Sequence, residues 1–491
     1  MRRILAALSV LGLSACAVGP TYRTPAAPPK AEGAFVSADA QLLAPQTPPD
    51  SWWRLYDDPV LDKLVQRAFA ANADLRAAEA NLGSARGVLD QARAGLFPST
   101  AVSAGATYGR SASADTAAAT SRELRGVLAD TDADTAQLGS TKAHTAWSFD
   151  PAFDVSYEVD LFGRVRRTIE AARGDYQSTE AALDAVRITV AAETARAYAD
   201  GCAYAEEVDA ANATLSLLQA SYDIARVQRD AGATSDFDLA RAAALLEQAR
   251  APVSGLEGQR RAALFELAAL IGVTPSEVPP EASACRAPPQ LKALLPVGDG
   301  AGLLRRRPDV REAERHLAAE TARIGVAEAD LFPTVSLGGS IAAGGNQYSN
   351  LLANNNVTFG VGPLISWTFP NILAARGRIE SAKATTRAAL ANFDGAVLTA
   401  LKETEQALAA YNGELLRHEA LSRGLADSRR AFDLAKARYT AGSASYLDLL
   451  TTEQTLITAQ SSLAASDEAV AADQIAVFKA LGGGWQASAR R

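Results

Sequence analysis

The chain has 491 residues, a formal net charge of −8, 48% hydrophobic residues and only 6% aromatic ones. The mild acidity argues against nucleic acid as a partner, and an Ala-rich, aromatic-poor chain suits close helix packing better than a large globular core. There are three His and three Cys, with no His pair at metal-ligand spacing, no Cys-x-x-Cys, and no phosphate-loop, nucleophile-elbow or dinucleotide fingerprint. Nothing therefore points to an enzyme, a metal or a diffusible cofactor.

Met1-Arg2-Arg3 is a positive leader to "ILAALSVLGLSA", an apolar run of about a dozen residues, too short to span a bilayer as a helix. It ends in Leu13-Ser14-Ala15-Cys16. An ordinary signal peptide with a chance Cys is the bland reading. The sharper one is a lipobox resembling bacterial lipoprotein signals. Residues 1–15 are then removed, and Cys16 becomes a lipidated (palmitate-type) N-terminus. Ala17 after the Cys resembles outer-membrane sorting. The Pro-rich "VGPTYRTPAAPPK" reads as an extended tether within residues 16–59.

A helical pattern over about 60–95 stops at Phe97-Pro98, because Pro disfavours helix in the residue before it. A strand is expected near 99–109, then a polar stretch from Arg110 to Ala146. From Ser148 to Leu161 the chain alternates strictly. Phe149, Pro151, Phe153, Val155, Tyr157, Val159 and Leu161 fall on one face; Ser148, Asp150, Ala152, Asp154, Ser156, Glu158 and Asp160 fall on the other. No Pro occurs from about 164 to 230, a helix that could reach roughly 100 Å. It stops at Gly232, and a new helix opens at Ser235-Asp236-Phe237-Asp238.

This order returns after a connector at 281–304. "ARAGLFPSTAVSAGATYG" (92–109) resembles "AEADLFPTVSLGGSIAAG" (327–344), and "ARVQRDAGATSDFDLA" (225–240) resembles "AKARYTAGSASYLDLL" (435–450). The first pair lies farther apart because the first copy carries the longer insert between its strands. The chain thus divides into repeat 1 (60–280), connector (281–304), repeat 2 (305–481) and a tail (482–491). Each repeat reads helix, strand, loop, strand, helix, turn, helix. In repeat 2, Val335, Leu337 and Ile341, then Val357, Phe359, Val361, Ile365, Trp367 and Phe369, alternate with small or polar residues, although Leu364 breaks the polar side. The last helix carries the heptad stripe Leu449, Leu456, Leu463, Val470, Val477, which predicts coiled-coil-like packing.

All four strands are expected at the 9–11 residues that tilted membrane strands need. Four strands cannot close a barrel, and open edges cannot face lipid. Several copies must therefore close one together, and a trimer gives twelve strands. Phe153, Val155, Tyr157 and Val159 then face lipid, while Asp154, Glu158 and Asp160 face a wet lumen. A soluble helical bundle, or a lipid-anchored coiled-coil scaffold or adhesin, would leave these strands and the repeat without a role.

"LLRRRPDVREAERHLAAETARIGVAEADLFPTVSL", the turns at Gly232 and Gly442, and the C-terminal "FKALGGGW" resemble the outer-membrane factor family of TolC-like channel tunnels. The lipobox with "GPTYRTP" resembles its OprM/NodT-type lipoprotein branch. The resemblance covers essentially the whole mature chain. It implies a mixed fold: a twelve-stranded β-barrel in the outer membrane, closed by a homotrimer, and a long periplasmic α-helical barrel. As partners it implies a periplasmic adaptor (membrane fusion protein), an inner-membrane RND-type pump and outer-membrane lipid. The function implied is a passive duct exporting drugs or other small toxic molecules. A duct for type I protein secretion is the alternative, and neither reading names the cargo.

Cys202 and Cys285 remain once Cys16 is lipidated. The implied fold puts both near an equatorial belt in an oxidising compartment, which leaves a bridge or two free buried thiols open. Arg305-Arg306-Arg307-Pro308-Asp309 reads as a helix start with Pro near N1 rather than an anion patch. His144, His316 and His418 have no assigned role. Ser235-x-x-Asp238 and Ser445-Tyr446-Leu447-Asp448 are capping boxes. In the implied fold both turns also lie at the periplasmic mouth, where three copies would set rings of Asp238 and Asp448 around an aperture, with Leu447 and Leu450 narrowing it. Some relatives carry a second acid nine residues after the turn Gly, where this chain has Thr451, so a single ring is expected.

Overall fold

The structure is a computed structural model that describes residues 17–26, 28–39, 42–111, 144–232, 234–345, 347–351, 356–368 and 372–483. Cys16 and the leader therefore lie outside the described residues, as do most of the insert in repeat 1 and the last residues of the tail.

The order is β1 (Leu43–Ala44), α1 (Pro59–Ala71), α2 (Ala73–Ala94), β2 (Ser99–Ser103), β3 (Ala106–Ser111), β4 (His144–Phe149), β5 (Ala152–Val159), α3 (Arg164–Asp230) and α4 (Asp236–Leu270). The second half continues with β6 (Leu295–Pro296), α5 (Gly300–Arg306), α6 (Pro308–Ala329), β7 (Thr334–Ala343), β8 (Val357–Ser366), α7 (Ile372–Thr440) and α8 (Tyr446–Ala480). Helix, strands and helical hairpin thus recur in the same order in both halves. The chain packs as two units. One is Met1–Thr21, Leu89–Glu170 and Thr321–Lys383; the other is Tyr22–Val88, Ala171–Glu320 and Ala384–Arg491.

The first unit holds an antiparallel sheet of order β2-β5-β7-β8. Its register sorts the side chains into two faces. One carries the cross-strand rows Val102–Phe153–Ile341–Phe359, Thr100–Val155–Gly339–Val361, Tyr157–Leu337–Pro363 and Val159–Val335–Ile365. The other carries Ala101–Asp154–Ser340–Gly360, Ser99–Ser156–Gly338–Gly362 and Glu158–Ser336–Leu364. Ladder partners share a face, so the alternation read along one strand holds across all four.

Two boundaries differ from expectation. The strands expected near 99–109 and 149–161 are each interrupted, at 104–105 and 150–151. At the second break Pro151 removes a donor on the β7 side. Ala343 N donates to the Pro151 carbonyl at 2.9 Å, but Pro151 has no N–H to return the bond. The ladder itself does not slip. Gly105 N and Asp150 N exchange bonds with each other's carbonyls at 3.4 and 2.9 Å, and β3 pairs β4 in the register that continues β2–β5.

Residues 17–19 belong to this unit. Val18 N donates to the Phe162 carbonyl at 3.1 Å, and the Arg167 guanidinium donates to the carbonyls of Val18 and Gly19 at 3.1 and 3.0 Å. Gly19 has φ +98°, and a Cβ there would lie 2.4 Å from the Gly325 Cα, so only glycine fits.

The second unit has its main core around Trp52, Trp53, Tyr56 and Phe478, with Trp52 stacked on Phe478 at 4.8 Å. The tether and the connector enter this core together through the parallel pair β1–β6. Of the heptad stripe, Leu449, Leu456 and Val477 are buried. Cys202, fully buried, is bonded to Cys285. Arg307 is buried and engages Asp309 at 2.6 Å, Glu403 at 2.7 Å and the Ala480 carbonyl at 3.0 Å. Pro308 opens α6. Arg307 is therefore a satisfied part of a helix junction. His418 contacts Asp467 at 2.7 Å, and His316 lies 3.8 Å from Glu320.

Candidate functional site: the helical hairpin turns

Both hairpins of the second unit turn through a glycine in the left-handed region, Gly232 at φ +70° and Gly442 at φ +72°. This conformation is costly for residues with a Cβ. Each helix that follows is N-capped by the expected serine, but the reciprocal capping box closes only at Ser445. Ser445 Oγ accepts from Asp448 N at 3.1 Å, and Asp448 Oδ2 accepts from Ser445 N at 3.1 Å and Ser445 Oγ at 2.8 Å. Asp238 Oδ2 accepts from Ser235 Oγ at 2.7 Å and Thr234 Oγ1 at 3.1 Å, while Asp238 N donates to Ser235 Oγ at 3.2 Å. The serine hydroxyls hold both carboxyls below the usual carboxylate range. Both acids are thus anionic at neutral pH, fixed in direction and open to solvent. This chain supplies one of each.

The two leucines separate. Leu447 is 48% exposed, and Phe237 after the other turn is 68% exposed. Leu450 is 3% exposed and lines a cavity of about 270 Å³ with Leu218, Leu245, Pro252 and Ile457. The expectation that Leu450 narrows a mouth is corrected. It falls on the Leu449–Leu450–Glu453–Leu456 stripe of α8, which packs inward, whereas Leu447 lies off that stripe.

Sequence reading missed Glu453. It is 1% exposed, and Ser221 Oγ of α3 donates to both of its oxygens at 3.1 and 3.3 Å. Burial pushes its carboxyl up, and the Ser221 bond offsets this only in part. Beside it Tyr446 OH donates to the Ser221 carbonyl at 3.3 Å, and Tyr439 OH donates to Gln228 Oε1 at 2.8 Å. The hairpins are therefore tied near their turns by polar bonds around a small core of Phe432, Leu449 and Leu456. The available signal was a Glu four residues after Leu449 on the buried stripe.

The described residues hold no group of three or more metal-ligating side chains, and none of their helices is long and apolar enough to cross a membrane. What the two units present is a sheet with one apolar and one polar face, and helical hairpins ending in fixed carboxylates.

The sequence profile of the outer membrane efflux protein family matches residues 64–273 and 302–483. Nodulation protein T of Rhizobium leguminosarum bv. viciae is 28% identical over 496 residues, covering 99% of this chain and 94% of that protein. Outer membrane protein OprJ of Pseudomonas aeruginosa is 31% identical, covering 98% and 96%. Among solved structures, the outer-membrane channel OprN superposes with a TM-score of 0.84 at 32% identity, covering 96% of this chain and 100% of that one. The open-state MtrE channel of Neisseria gonorrhoeae gives 0.80 at 27%, covering 97% and 100%. A match of this extent, on a chain whose strands and hairpins are duplicated, makes the protein a member of the outer membrane efflux protein family, an outer-membrane transport protein.

Proposed function

We propose that three copies of this chain close a twelve-stranded barrel in the outer membrane and form the duct of a tripartite efflux system. The observation that carries this reading is the four-stranded sheet. Among the described residues its edge strands β2 and β8 have no outer partner, and one of its faces is apolar apart from Thr100. Such edges are untenable in lipid and are removed only by closure. Three sheets make a barrel within the known even-numbered range. The apolar rows then meet lipid, and Asp154 and Glu158 line the lumen.

Lipidation at Cys16 fits the same geometry, because Val18 and Gly19 are bonded at the base of β5, next to Phe162 and Arg167. An acyl chain on Cys16, two residues before Val18, would enter the periplasmic leaflet. At the hairpin turns, rings of Asp448 and Asp238 would favour cations at an aperture, with Leu447 rather than Leu450 as its apolar neighbour. A periplasmic adaptor and an inner-membrane RND-type pump complete the assembly. The cargo is read as small molecules. Relatives are named for toluene efflux (TtgC of Pseudomonas putida) and pyoverdine export (OpmQ of Pseudomonas putida), two chemically unlike cargoes, which suits a duct without a selective pocket.

The test is reconstitution of the purified chain in planar bilayers, with cross-linked mass as a second readout. Trimeric mass and discrete cation-selective conductance are expected. A monomer that leaves the bilayer sealed would end the proposal.

A further inference from the structure

We infer that the cavity between α3, α4 and α8 is a binding site for a lipophilic organic cation: a ringed apolar body lies among Leu218, Leu245, Leu256, Leu450 and Ile457, and an ammonium group pairs with Glu207. All of these residues belong to one chain and to its second unit, so the site does not depend on closure of a barrel.

Three observations carry it. The first is that the space exists at all. Protein interiors are filled to the density of organic crystals, yet here Ala249 and Pro252 of α4 face Ala211 of α3 and Ala464 of α8, and no side chain spans the gap. The duplication breaks at this height. Aligned on Gly232 and Gly442, "APVSGLEG" (251–258) of α4 stands against "SSLAASDE" (461–468) of α8. Repeat 1 alone places a Pro inside its helix. The cavity measures about 270 Å³, and an apolar cavity of about 150 Å³ already takes one benzene ring. Gln248, Pro252 and Gln454 are exposed at its mouth, which gives a ligand its way in.

The second is the polarity of the wall. Pro252 has no N–H for the Gln248 carbonyl one turn back on the same helix face, and both residues line the cavity. Thr458 and Ser461 donate their hydroxyl protons to carbonyls of their own helix, Gln454 at 2.9 Å and Ile457 at 3.1 Å. These groups therefore turn lone pairs, not protons, toward the space. They suit a ligand that donates.

The third is charge. Glu207 lines the same cavity and is half-buried. Burial pushes its carboxyl up to about 6, and the two charges that act on it, Glu468 of α8 and Glu206 of its own helix, push the same way. Tyr204 OH is bonded to Glu468 at 3.2 Å rather than to Glu207. At neutral pH a carboxylate thus stands beside apolar walls with like charges for neighbours, an arrangement that a cation relieves.

The test uses the full chain in a non-ionic detergent with two photoreactive probes of one shape. One is 4-(aminomethyl)benzophenone, cationic at neutral pH; the other is the uncharged 4-(hydroxymethyl)benzophenone. Adducts formed on irradiation are mapped by peptide mass spectrometry. The ammonium probe should label 242–260 of α4 and 439–479 of α8 saturably, and about tenfold more than the alcohol, the gain expected of a hydrogen bond between charged groups. Glu207→Gln should remove that difference. Ala249→Trp should fill the space and remove the labelling of both segments, while adducts elsewhere on the chain stay as in the parent. Equal labelling by the two probes, or an ammonium preference that survives Glu207→Gln, would mark a groove for uncharged chains such as detergent and overturn the cation site. Labelling that does not saturate, or that persists in Ala249→Trp with the Cys202–Cys285 bond intact, would overturn the cavity as its seat.

Discussion

Val155→Arg and Ser156→Arg are adjacent substitutions of the same chemistry with opposite expected outcomes. Val155 lies four residues from the Val159 row, a rise of about 10 Å at ~3.3 Å per residue and a tilt of about 40°. In an apolar band about 25 Å tall this is within a few ångströms of the midplane. Its cross-strand neighbours are Thr100 and Gly339, neither of which carries a charge to offset a guanidinium. A lipid-facing Arg at that depth costs about 2–4 kcal/mol per copy, or about 30-fold to several-hundred-fold in the insertion equilibrium. Three copies in one barrel would compound it. Ser156 faces the other way, between Ser99 and Gly338, and a Cβ at Gly338 would meet nothing nearer than the Gly362 carbonyl at 4.0 Å. An Arg at 156 therefore has space and, on the lumen side, water. Insertion into preformed vesicles, followed by protease protection, measures both. Val155→Arg should fail to insert while Ser156→Arg inserts like the parent. Equal loss from both, or an unaffected Val155→Arg, would refute the facing derived from the register.

Loss of the Cys202–Cys285 bond, which closes a loop of sequence separation 83, should destabilise the chain by up to about 4.5 kcal/mol on loop-entropy grounds; denaturant unfolding with and without reductant reads this, and non-reducing peptide mapping that finds two free thiols would dismiss it. Asp448→Asn should reduce cation selectivity or raise single-channel conductance, whereas unchanged conductance with a lower melting temperature would leave Asp448 as a helix cap alone. Burial pushes the Asp200 carboxyl up from 3.8 to about 6. The folded state therefore binds the extra proton between those values, and stability should fall as pH rises through that window. Asp200→Asn should flatten a melting curve series from pH 4 to 7, and a slope unchanged by the substitution would contradict the assignment. Cys16→Ser should abolish fatty-acid labelling while leaving some channel activity, because an inserted barrel does not depend on one lipid chain; a parent chain that takes up no label would dispose of the lipobox.

The sequence determined by itself whatever depends on near neighbours along the chain. Period-two alternation sorted Phe153, Val155 and Tyr157 from Asp154 and Glu158, because successive strand residues point oppositely whatever lies beside them. Pro98, Gly232 and Gly442 marked the ends of helices, and Ser235-x-x-Asp238 and Ser445-x-x-Asp448 marked their starts, through torsional limits and capping bonds spanning three residues. The duplication was visible as well, since it is a property of order. The tertiary structure alone decided that β5 pairs with β7, joining the two repeats in one sheet, and that β2 and β8 are left as edges. It also decided that the ladder keeps register through Pro151, where one donor is lost. Side of a helix was the other undecided quantity. Leu447 and Leu450 are one turn apart and equally apolar, yet one is open and the other lines a cavity. Glu453 sits on the buried stripe of α8, but its partner was not legible, because only tertiary packing brings Ser221 of α3 against it. Cys202 and Cys285 meet for the same kind of reason, since contact between segments distant in sequence is set by what packs around both, and local sequence carries no record of that.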